Sequence, residues 1–259
     1  MKSTYISFRL MRAARFTMLL AMVLLPCRLF AITKANADSA YVHGEYQQAI
    51  ADYQELLKKG VSAQLYYNLG NAYYRTDNIA QALLAYERAS LLSPGNSDIR
   101  FNLEFVRSKT IDKLPESSDL FFVTWYKSLV YFTSVDTWAW VALVALSCAL
   151  LLMLAYLFAE RMSLRKVGFF GGIAALLVFL LSSIFAWQQR NDLENRTGAI
   201  VVAPSVNVKK TPVATGSDSF VLHEGTRVDI VDKSMKAWYG IRISDGREGW
   251  LPVSQVEKI

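Results

Sequence analysis

The sequence predicts a multidomain chain: an all-α array of helical repeats, a two-helix transmembrane hairpin and a small all-β barrel. Three observations carry this. A pattern recurs every 33–34 residues between positions 44 and 106, two uncharged runs of 21 residues come after it, and the C-terminal part breaks into short alternating strands.

The first 37 residues read as a signal peptide. Six of the 28 Lys/Arg (Lys2, Arg9, Arg12, Arg15, Arg28, Lys34) stand there without an acid, leaving 22 basic against 22 acidic side chains elsewhere. The net charge of +6 therefore belongs to the leader, and it implies no nucleic-acid surface. Four of these cations precede the apolar run Phe16 to Pro26, which is too short to span a bilayer comfortably. The small-residue match "ANA" places a cut before Asp38; retention of the run as an anchor is the alternative. Either one exports the repeat domain. Cys27 is preceded by Pro26, where a lipid acceptor site wants a small residue.

Residues 38–115 carry the repeat. "GEYQQAIADYQELL" (44–57) aligns with "DNIAQALLAYERAS" (77–90), superposing Ala49 on Ala82 and Tyr53 on Tyr86. "FNLEFV" (101–106) aligns with "YNLGNA" (67–72). The central copy holds Tyr66, Leu69, Gly70, Tyr73, Ala82, Tyr86, Ala89 and Pro94, a spacing that resembles the tetratricopeptide repeat. Gly70 and Ala82 are small where two helices must cross closely, and the aromatics fill the space around the crossing. The first helix of this copy has a second stripe: Gln64, Tyr67, Asn71 and Tyr74/Arg75. Its residues either pack between repeats or line a peptide groove in which an Asn clamps an extended backbone. Asn68 resembles the Asn of carboxylate-clamp members, although Asp98 and Asn102 stand where such a clamp wants Lys and Arg. Two repeats and one extra helix are too few to be stable alone. A cap is expected from segment 120–135 or from a partner protein.

Residues 116–137 are aromatic and fit a helix lying in the membrane interface, with Phe121, Phe122, Trp125 and Leu129 in need of burial. Transmembrane helices are expected at 138–158 and 167–187, with Trp138, Trp140 and Trp187 at one end of the hairpin. The connector, 159–166, carries Arg161, Arg165 and Lys166 against Glu160, so it stays in the cytoplasm and both flanking domains lie outside. Ala145, Ala149, Gly168, Gly171 and Gly172 suit close helix packing.

After a polar linker (188–196), residues 197–259 read as the barrel, with an Asp-Gly turn in "SDGR". Gly225, Trp238, Gly249 and Trp250 match recurrent positions of the bacterial SH3-like domain, which this module resembles. Trp238, Tyr239 and Trp250 are its candidate groove, unless they simply cover the barrel.

The order of modules resembles the BatE family of the Bat aerotolerance operons, strengthened by "NLEFVRSKTIDKLP" and "DTWAWVAL". That resemblance implies membrane partners with von Willebrand A domains, a MoxR-type AAA+ ATPase, and a role in envelope stress resistance at the bacterial inner membrane. No enzyme is expected: nucleotide-binding, hydrolase and zinc-protease motifs are missing from the sequence. Two His in different modules and two Cys, one in the leader and one in a span, offer no metal site, and no cofactor is expected. Two functions remain: a scaffold that binds protein partners through the repeats and the barrel, or a sensor that binds peptidoglycan through the barrel.

Overall fold

The computed structural model describes residues 33–113 and 120–259. The expected export signal lies outside them, apart from its last residues. From Lys34 to Ile259 the chain forms one compact unit.

The repeats begin with α1 (Lys34–Val42) and α2 (Tyr46–Lys59), continue with α3 (Ala63–Arg75) and α4 (Ile79–Leu92), and end on α5 (Ser97–Arg107). Helix starts coincide with side-chain caps: Ser62 accepts from Leu65 N at 3.1 Å, Asn78 from Gln81 N at 3.2 Å, and Asn96 from Asp98 N at 2.9 Å. Gly44 and Asp77, 33 residues apart, both take left-handed backbone (φ 82° and 59°) in the turn between paired helices. The signature residues form the core. Leu69, Ala82, Tyr86 and Ala89 are buried, and a Cβ on Gly70 would sit 2.8 Å from the Tyr86 ring. Tyr66 and Tyr73 pack half-buried around them, and the chain leaves α4 at half-buried Pro94.

α1 starts four residues before the expected boundary at 38. Its Ala37 is fully enclosed, and the Asp38 carboxylate accepts from Tyr53 Oη (2.6 Å) and Asn68 Nδ2 (3.0 Å). A cut before Asp38 would fall in the middle of this packed helix.

Two helices, α7 (Val135–Phe158) and α8 (Met162–Glu194), are long and apolar enough to cross a membrane, and most of their large apolar side chains face outward. They touch along their length through small residues: Ala142 and Ala145 are buried, and a Cβ on Gly168 would meet Leu152 O at 2.6 Å. The connector is shorter than expected, and α8 runs seven residues past Trp187 through the expected linker. The physical reason is α6 (Phe121–Val130), which leans on that extension. Gln189, buried, donates to Val130 O and to Thr133 O (2.8 Å), Tyr126 bonds Gln188, and Tyr131 bonds Asp192.

α6 does not cap the repeats. Phe121, Phe122 and Trp125 are 86%, 64% and 60% exposed. The chain just past α6 approaches the array through backbone, where a Cβ on Gly95 would stand 2.2 Å from Phe132 O.

Strands β1 (Gly198–Val201), β2 (Ser205–Lys209), β3 (Asp218–His223), β4 (Arg227–Asp232), β5 (Trp238–Arg242), β6 (Glu248–Pro252) and β7 (Val256–Lys258) form one antiparallel sheet of order β3-β2-β6-β5-β4-β1-β7. Alternating residues such as Val208, Leu222, Ile230, Ile241 and Leu251 fill its core. Where a small barrel is expected, the sheet stays open, because no pairing joins β3 to β7. The β1–β7 edge is covered by α4 instead. Ala80 and Leu84 pack on Ile200 and Ile259, and Arg88 donates to the edge carbonyl of Lys258 at 2.5 Å.

The sheet is thus the cap of the repeats. Buried Glu87 receives Arg107 and faces Arg227 at 3.6 Å, while Glu257 accepts from Arg88 (3.2 Å) and Gln81 (3.0 Å). Gly225 has φ of 80° in the β3–β4 turn and lies against Leu83 and Thr110, where a Cβ would be within 2.9 Å of both. Asp112 accepts from His223 N (2.8 Å) and Thr226 Oγ1 (2.6 Å) and meets His223 Nδ1 at 2.9 Å. Burial works against its charge, but the bonds from Thr226 and His223 hold its carboxyl below the ordinary value.

Candidate peptide-binding groove

With the outer side of α4 covered, the opposite surface of the array is built by α1, α3 and α5. The six groove residues expected on α3 divide into two groups there.

The first group is held by neighbours. Asn68 donates to Asp38, and its own carbonyl accepts from Gln64 at 2.9 Å. Burial opposes the charge of Asp38, yet bonds from Lys34, Tyr53 and Asn68 keep its carboxyl below the usual value. Asn71 Oδ1 accepts from Tyr86 Oη (2.6 Å) and Asn102 Nδ2 (3.1 Å). Burial pushes the Tyr86 phenol well above its ordinary value, so it remains a donor. Asn102 also donates to Tyr67 Oη at 3.0 Å, and the Tyr67 ring leans on Tyr86 at 5.9 Å. Asn68, Asn71 and Tyr67 therefore join successive helices of the array. Asn68 gives one amide N–H and its oxygen to these contacts, and Asn71 gives its oxygen.

Tyr74 and Arg75 differ. Tyr74 stands edge-on to Phe105 (ring centres 5.7 Å apart), and Phe105 stacks along Phe101 at 6.4 Å. Phe101 is 68% and Phe105 41% exposed. α5 sends Ile99, Leu103 and Val106 into the core and leaves this aromatic pair outside. The pair is legible as an i, i+4 repeat in a polar helix, although the alignment with "YNLGNA" draws attention to Asn102 instead. Arg75 is exposed and lies over the Tyr46 ring.

The three sheet aromatics do not share a surface. In the β5–β6 register Trp238 opposes Pro252, Tyr239 opposes Leu251 and Gly240 opposes Trp250. Alternation puts Trp238, Gly240 and Trp250 on one face and Tyr239 on the core face, packed with buried Leu251. The Trp250 ring lies across Gly240, 3.5 Å from where a Cβ would project. Tyr239 and Trp250, both half-buried, are thus committed to packing within the sheet.

Among the described residues no group of three or more His, Cys, Asp or Glu is arranged to hold a metal ion. A separate polar cleft of about 1320 Å³ lies between the repeats and the sheet, but its Glu87 and Asp112 are matched by arginine and hydrogen-bond partners.

Residues 34–97 match the tetratricopeptide repeat family. No curated protein matches the chain. The repeats are interaction modules of a kind that is typically non-catalytic, which points to binding of other proteins.

Proposed function

We propose that the protein is a scaffold of the bacterial inner membrane whose repeats hold a segment of a partner protein outside the cytoplasm. The observation that carries this is the asymmetry of the array: its outer helix is covered by the sheet, while its inner face keeps Phe101 and Phe105 open beside half-buried Tyr74. Exposed aromatics joined across two repeats suit a protein partner. The basic connector between the spans supports an outside location for both soluble parts. The outward aromatics of α6, beside the Trp138 and Trp187 end of the hairpin, suit the bilayer interface.

The sheet module is read as an SH3-like domain that docks to the repeats, and the whole as a member of a Bat-type envelope stress complex. In that complex the partners are von Willebrand A membrane proteins and a MoxR-type ATPase. The experiment is co-purification of the full chain with its membrane partners. Phe101→Glu with Phe105→Glu is expected to abolish recovery of a von Willebrand A protein while the variant folds normally, since both side chains are exposed. Undiminished recovery overturns the proposal.

A further inference from the structure

The open face carries charge in a regular place. Arg75 ends α3 and Lys109 lies just beyond α5; they are 34 residues apart and so hold one position of successive repeats. Both are exposed. The Arg75 guanidinium sits 5.0 Å from the Tyr46 ring centre and donates to Tyr46 Oη at 2.6 Å. The Lys109 ammonium sits 5.2 Å from the Phe105 ring centre.

Several arginines of the soluble parts have carboxylates: Arg88 has Glu257, Arg107 has Glu87, Arg242 has Glu248 and Arg247 has Asp245. Among the described residues Arg75 and Lys109 have none: the acids close in sequence, Asp77 for Arg75 and Glu104 and Asp112 for Lys109, do not pair with them, and Asp112 is engaged by His223 and Thr226. Each is held in place by an aromatic ring with its charge unmatched, Arg75 following Tyr74 in the chain and Lys109 lying over the Phe105 ring that Tyr74 touches.

We infer that this face selects an acidic, extended segment of a partner protein, with carboxylates three residues apart. The inference rests on the groove proposed for the repeats. α3 and α5 touch through Asn102 and Tyr67, and axes of packed helices lie about 8–10 Å apart. A polyproline II segment advances about 3.1 Å per residue with three residues per turn, so positions i and i+3 point the same way about 9 Å apart. Two such carboxylates match that helix spacing, one for Arg75 and one for Lys109, with the residues between them for the Tyr74–Phe105 contact. Aromatic grooves take this conformation because it is already extended and loses little freedom on docking.

The test uses the full chain in lipid nanodiscs and four labelled peptides of equal length. One repeats glutamate–proline–proline, one lysine–proline–proline and one serine–proline–proline; the fourth has the same number of glutamates spaced two apart. The first is expected to bind about tenfold tighter than the serine peptide, with the difference shrinking at high salt. It is also expected to outbind the two-apart peptide. Arg75→Glu with Lys109→Glu should reverse the order in favour of the lysine peptide, a gain that misfolding cannot produce. Equal binding of all four, no binding of any, or no reversal in the double variant overturns the inference. The groove itself fails separately, when the Phe101→Glu and Phe105→Glu chain still recovers its membrane partner.

Discussion

The repeat array and the sheet both carry aromatic side chains at candidate binding positions, and the structure uses them differently. On the array, Phe101 and Phe105 are open and make contact mainly with each other and with Tyr74. In the sheet, Tyr239 joins the core and Trp250 lies over a glycine. A strand offers only two faces, and in this small sheet one of them is the core. A helix of the array has room for three: core, neighbouring repeat and open surface. The array can therefore leave aromatics exposed without giving up its packing, whereas the sheet has only the face of Trp238 and Trp250 outside its core, with Trp250 laid over Gly240.

The largest expected effect would break this comparison at the junction. Leu84, fully buried between α4 and β1, holds the two modules together. Leu84→Ala is expected to cost about 2–4 kcal/mol and to expose β1 and β7 to amide exchange ahead of the rest of the chain. Exchange in step with the array would show that the sheet does not depend on this contact. Next in size, Trp250→Ala should cost about 2 kcal/mol in thermal unfolding, since a half-buried indole and its glycine contact are lost, and should leave partner recovery intact.

Gly70→Val sharpens the other side. Its side chain meets the Tyr86 ring, and overpacking there is expected to cost about 1–3 kcal/mol in denaturant unfolding and to loosen the Asn71–Tyr86–Asn102 network. A smaller effect concerns acid. The Asp112 carboxyl is held below its ordinary value, so its contribution is complete above the unfolded value of about 3.9 and disappears as pH falls through the lower folded value. The contribution of Asp112 to docking should thus be unchanged from about pH 7 to 5 and weaken at lower pH. Asp112→Asn should flatten that acid limb in a proteolysis or exchange titration. The smallest stability effect belongs to the groove: Phe101→Ala with Phe105→Ala is expected to shift stability by under about 1 kcal/mol while removing binding.

The legible parts of the molecule are the local ones. The repeat shows in the sequence because Gly70, Ala82 and Tyr86 stand at fixed spacing, and the spans because 21 uncharged residues leave few alternatives. The strands show as alternation. The junction cannot be read. Asp112 and His223 are 111 residues apart, and Arg88 and Glu257 169 apart, with no periodicity to link them. The sheet therefore reads as a free barrel, and the cap of the array is sought in the adjacent α6. On the candidate site, Tyr74 and Arg75 are legible from helical spacing. Asn68 and Asn71 read as ligands because their partners, Asp38 and Asn102, lie on other helices. The start of α1 is hidden by an alanine-rich match to a processing site.

The central claim is that the open face of the repeats, and not the tryptophan face of the sheet, meets the partner. In-cell photocrosslinking from positions 74 and 105, compared with 238 and 250, tests it most directly. The account predicts crosslinks to a membrane protein from 74 and 105, and none to another protein from 238 and 250. Partner crosslinks confined to 238 and 250 would contradict it and make the sheet the working surface.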